Sequence, residues 1–85
     1  MKIVMGADHA GYRLKDELKP LIESWGHEVI DVGCTCGDSV DYPDYALAAC
    51  EKIVSGEADK GILICGTGIG MTIAANKIPG IRCAL

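Results

Sequence analysis

The chain has 85 residues, 49% apolar and 24% charged, and its 8 basic and 12 acidic side chains give a net charge of −4. That balance excludes a disordered chain and a non-specific nucleic-acid binder, which needs clustered Lys and Arg. No apolar run approaches the roughly 20 residues of a membrane span.

One domain is the count that fits this length. Asp8 and His9 cut the first apolar run too short for a secretory signal. The five cysteines, at 34, 36, 50, 65 and 83, are therefore expected as reduced thiols in a cytoplasmic protein rather than a disulfide framework. Phe is absent while Gly numbers 11, so the core is expected from Ile, Val, Leu and Ala around close backbone approaches.

Along the chain, Lys2–Gly6 is a β-branched run that predicts a buried strand, followed by the loop Ala7–Gly11. Leu14, Leu18, Leu21, Ile22 and Trp25 then fall at helical spacing, which predicts a helix with that stripe in the core. Pro20 predicts a kink in it, and Gly26 a stop. Glu28–Gly33 reads as a second strand and 34–41 as a polar loop. Asp41-Tyr42-Pro43-Asp44 has the Pro and acidic residues of a helix start. Ala46, Ala49, Cys50, Ile53 and Val54 supply the next apolar face, and Ser55-Gly56 ends it. Gly61–Cys65 predicts a third strand, Gly66–Gly70 a glycine loop, Met71–Lys77 a helix, and Ile81–Leu85 a fourth strand after Pro79-Gly80. The order β-α-β-α-β-α-β, with strands apolar throughout, predicts a Rossmann-like three-layer α/β/α fold with a parallel sheet.

In such sheets ligands bind beyond the carboxyl ends of the strands. Three segments collect there: Ala7–Gly11, the loop running into Tyr42-Pro43, and Cys65–Gly70. The last combines a thiol, exposed backbone amides and a helix N-terminus, a setting that binds anions and favours a thiolate. Its spacing matches neither a P-loop, since no Lys follows Gly70, nor the Gly-x-Gly-x-x-Gly of dinucleotide sites. A cysteine-phosphatase loop would carry Arg where Met71 stands. Cys34-x-Cys36 has no second ligand pair at metal spacing, so no metal is expected. Taken singly, these residues also fit plainer roles. Cys65 suits a small hydrophobe at a strand end, Asp8 a helix cap, His9 a satisfied loop histidine, and Tyr42-Pro43 a simple helix start. Cys50 and Cys83 lie in apolar patterns that suit a core.

Together, GADHAGYRLKDELK, SVDYPDYA and GILICGTGIGMTIAANKIPGIRCAL resemble the type B ribose-5-phosphate isomerase family, which also includes galactose-6-phosphate isomerase subunits. The resemblance covers essentially the whole chain. It implies aldose–ketose interconversion of a phosphorylated sugar through a cis-enediolate, without cofactor or metal. By that resemblance Cys65 is the base and Thr67 assists ring opening. The amides from Gly66 through Gly68 to Gly70 hold the enediolate oxygen. Asp8 and Tyr42 contact sugar hydroxyls, and His9 lies near the phosphate. The family's chains are nearly twice as long, and their second half supplies a histidine, an asparagine, phosphate-gripping arginines and a long dimer-completing helix. The sequence is thus expected to be the N-terminal portion of a longer isomerase, assembling as a homodimer or larger homo-oligomer. Galactose 6-phosphate and allose 6-phosphate are the alternative substrates. A non-catalytic anion-binding or assembly module is the alternative of another class.

Overall fold

In the computed structural model, residues 1–33 and 42–85 are described, Tyr42 and Pro43 as helical backbone alone. Six elements follow one another: β1 (Lys2–Ala7), α1 (Tyr12–Ser24), β2 (Glu28–Asp31), α2 (Tyr42–Val54), β3 (Lys60–Ile64) and α3 (Ile69–Asn76). The strands form a parallel sheet in the order β2-β1-β3. Val4 pairs with Ile30 on one side and Gly61 on the other.

Successive side chains of a strand point to opposite faces, and each face has its own helix layer. Ile3 and Met5 meet Ile22 and Leu18 of α1 on one face, joined by Val29, Ile62 and Ile64. Val4 meets Ala49 and Ile53 of α2 on the other, with Ile30, Val32 and Leu63. Against α2 packs α3, burying Met71 and Ala75. This is the expected three-layer α/β/α arrangement. Small side chains at Ala46 and Ala49 let α2 lie close on the sheet, and both are fully buried beside Cys50. Val54, expected on that face, is exposed. Gly26 ends α1 with φ +89°, and α1 runs through Pro20.

Further expectations are corrected. The stripe Leu14, Leu21 and Trp25 is not core: these side chains are 49%, 46% and 64% exposed. Leu18 and Ile22 of the expected stripe do meet the sheet, joined by Lys15 in place of Leu14, Leu21 and Trp25. The fourth strand is not formed either. Residues 81–85 have no strand pairing, because the side-chain amide of Asn76 takes both backbone groups of Cys83. Its Nδ2 donates to the Cys83 carbonyl and its Oδ1 accepts the Cys83 N–H, each at 2.9 Å. A groove of about 620 Å³, lined by Cys50, Ile53, Ile62, Met71 and Cys83 among others, separates this segment from β3. Cys83 itself is half-buried rather than core. The segment 34–41, with Cys34 and Cys36, lies outside the described residues.

Candidate active site

The strand order reverses between β1 and β3, the point at which a parallel sheet opens a crevice at its carboxyl edge. The two loops leaving that edge touch each other. The Asp8 N–H donates to the Ile64 carbonyl at 3.1 Å. Gly11 sits so close to that same carbonyl that a Cβ would overlap it, and a Cβ on Gly66 would stand 3.7 Å from that of Ala10. Only a glycine allows the first approach. Asp8, His9 and the Cys65–Gly70 loop are thereby brought to one place, as expected.

Cys65 follows the last residue of β3 and is half-buried. Its Sγ accepts the backbone N–H of Gly68 at 3.0 Å. Gly68 is the N-cap of α3, with φ +82°, so the sulfur faces the positive end of a helix dipole. The amides of a first helical turn have no partner within the helix. Two are spoken for here: Gly68 by Cys65, and Ile69 by the Thr67 hydroxyl at 3.3 Å. Thr72 donates its hydroxyl to the Gly68 carbonyl at 2.7 Å, which braces the loop from behind.

The carboxylate of Asp8 is buried and closes its own loop, accepting the N–H groups of Ala10 at 2.8 Å and Gly11 at 3.0 Å. Both amides precede α1, whose N-cap Gly11 has no side-chain partner, so Asp8 closes the turn before the helix and does not cap it. His9 is exposed at the mouth of the loop. Tyr42 is the first residue of α2, and its side chain lies outside the described residues. Among the described residues no three His, Cys, Asp or Glu side chains cluster as a metal site requires. Nor is any described helix long and apolar enough to cross a membrane.

One group at this edge was not anticipated. Lys15, fully buried, places Nζ 2.7 and 2.6 Å from the two carboxylate oxygens of Asp31. Asp31 also accepts the N–H of Gly33 at 2.8 Å. Burial by itself would raise the Asp31 carboxyl, but the hydrogen bonds from Lys15 and Gly33, with the charges of Lys15 and Lys19, hold it below its usual value. The spacing Lys15-Leu18-Ile22 carried the signal, since i, i+3, i+7 places Lys15 on the buried face.

Residues 3–85 match the family model described as Ribose/Galactose Isomerase. The chain is 49% identical to the Escherichia coli ribose-5-phosphate isomerase B, over 95% of this chain and 54% of that protein. It is 45% identical to the Clostridium acetobutylicum galactose-6-phosphate isomerase subunit LacB, over 100% of this chain and 49% of that one. Among solved structures, Clostridium thermocellum ribose-5-phosphate isomerase B superposes with a TM-score of 0.94 at 56% identity, covering 96% of this chain and 55% of the other. The chain thus spans about half the length of the relatives it matches.

Proposed function

Because the chain belongs to the ribose/galactose isomerase family, we propose that it carries the proton-transfer centre of an aldose–ketose isomerase that interconverts ribose 5-phosphate and ribulose 5-phosphate. The observation that carries this reading is the Cys65 Sγ held 3.0 Å from the Gly68 amide at the N-terminus of α3.

Shifting a carbonyl from C1 to C2 requires one base that takes the C2 proton and returns it to C1, and donors for the enediolate oxygen. Cys65, as thiolate, is that base. The sulfur's bond to Gly68 orients it. Gly66 in the loop and Gly70 in the first turn of α3 offer amides for the oxygen, beside the Gly68 amide that holds the sulfur. Thr67, at the exposed tip, assists opening of the furanose ring. Asp8 lies against the end of β3, where it can meet a sugar hydroxyl, with Tyr42 as its partner at the start of α2. His9, exposed beside them, faces the phosphate. The protein acts in the cytoplasm without cofactor or metal, as a homodimer or larger homo-oligomer. Ile69 and Ile73, exposed beside the glycine loop, supply apolar surface for such assembly.

A second reading rests on the likeness to a galactose-6-phosphate isomerase subunit: the same centre, with a longer sugar. Turnover of ribose 5-phosphate and galactose 6-phosphate by the chain and by Cys65→Ala decides among these. Loss of the base is expected to lower kcat by about 10²- to 10⁴-fold with circular dichroism unchanged. Equal turnover by Cys65→Ala overturns Cys65 as base. Binding of sugar phosphate without turnover by the unmodified chain supports a non-catalytic anion-binding module instead.

A further inference from the structure

Lys15 stands outside the chemistry just described, yet it is the largest fully buried side chain of the molecule's described residues. Burying a charge is costly unless it is paired, and a buried pair is often no more stabilising than apolar side chains of the same shape. Stability alone therefore gives little reason for a lysine here. Its contacts give another. Lys15 grips both oxygens of Asp31, and also lies 3.5 Å from Asp16. Asp31 Oδ1 takes the Gly33 N–H at 2.8 Å. Gly33 adopts φ +107°, and the ring of Tyr45 occupies the space where its Cβ would be. In that conformation its carbonyl accepts the N–H of Ala7 at 2.8 Å. Ala7 is the last residue of β1, and Asp8 follows it.

We propose that Lys15 is a positioning residue: acting through Asp31 and Gly33, it fixes the carboxyl end of β1 and so sets where Asp8 stands at the crevice. The role of Asp8 toward a sugar rests on the isomerase reading; the link from Lys15 to Ala7 does not.

The test compares Lys15→Met, Lys15→Met/Asp31→Asn and Lys15→Met/Asp31→Ala with the unmodified chain, well below their melting transitions. Lys15→Met leaves a buried carboxylate without its cation. The Asn double variant removes both charges but keeps an Oδ1 for Gly33, whereas the Ala double variant keeps no acceptor. Amide hydrogen exchange is the first readout. In Lys15→Met and in the Ala double variant, the Ala7 and Gly33 amides are expected to exchange at least about tenfold faster relative to those of Ser55, bonded to Glu51 at the end of α2, and Thr72 in α3. The Asn double variant restores them. Should Lys15→Met not fold, the two charge-free doubles carry the comparison. Acceleration at all four amides alike, as from a general loss of stability, overturns the proposal, as does unchanged exchange at Ala7.

The second readout is turnover of ribose 5-phosphate. Asp8 and Cys65 leave different strands, so Lys15→Met is expected to raise KM about fivefold while kcat stays within about twofold. A fall in kcat with KM unchanged counts against action through Asp8. Should the unmodified chain fail to turn over ribose 5-phosphate while a version completed with the relatives' second half succeeds, the kinetic comparison moves to that version; should both fail, the isomerase reading falls, and the exchange of Ala7 and Gly33 alone decides the positioning role.

Discussion

Gly11 rests on the carbonyl of Ile64, so the loop after β1 is seated on the final peptide of β3. The Asp8 N–H bonds the same carbonyl oxygen, which gives the crevice a common floor built from both strands. The glycine is needed there for space, not for its dihedral freedom, since its φ of −106° suits any residue.

Replacing Gly11 with Ala should therefore act as overpacking against backbone, which cannot swing aside as a side chain can. The expected cost is about 1–3 kcal/mol, read as a lower urea midpoint with an unchanged slope. A variant as stable as the parent would show that the two loops are not in contact.

The Asp31 carboxyl predicts how the fold responds to acid. Its folded pKa lies below the ordinary value of 3.8, so on acidification the unfolded chain binds the proton first. Its contribution to stability is present above about pH 4 and is lost as the pH falls through the lower folded value. Melting temperatures measured from pH 6 to pH 2.5 should fall, and fall less steeply for Lys15→Met/Asp31→Asn. Parallel curves for the two proteins would remove Asp31 from the account.

The bidentate hold of Asn76 on Cys83 predicts a pattern of thiol reactivity. Burial raises the Cys50 thiol above its ordinary pKa, and the neighbouring Cys83 adds to this, so little thiolate is available at pH 8. Iodoacetamide labelling followed by mass spectrometry should find Cys50 slower than Cys65 and Cys83. Asn76→Ala forfeits three hydrogen bonds, two to Cys83 and one to the Thr72 carbonyl, each about 1 kcal/mol, and frees residues 81–85 beside the groove that Cys50 lines. Cys50 labelling should then accelerate several-fold. An unchanged rate would mean that this segment does not shield Cys50.

The alternation of β-branched runs with helical spacing made the layers legible, and Gly26 and Cys65 stand where their chemistry predicts, although α3 begins at Ile69 and takes in the end of the expected glycine loop. What the pattern could not decide is which of two adjacent stripes of α1 faces the sheet. Leu18 and Ile22 belong to both. Leu14, Leu21 and Trp25 point one way and Lys15 the other, and apolarity alone favours the wrong stripe. A lysine is seldom placed in a core by sequence reasoning. Its burial depends on Asp31, 16 residues distant in the chain, a long-range pairing that spacing within one helix does not reveal. The Ile81–Leu85 run has strand composition, yet a strand also needs a partner for its backbone, and Asn76 supplies that partner at Cys83 instead. Tyr42 was legible as a helix start, which its backbone confirms.

Trp25 is the chain's single tryptophan, and it stands on the outer stripe of α1, away from both cores. Its indole therefore spends the folded state largely in water. Fluorescence from this protein is consequently a poor gauge of core melting and a sensitive one for whatever covers α1. An intensity change or blue shift marks contact at that surface, on the layer opposite α3, and so separates events there from those at the glycine loop.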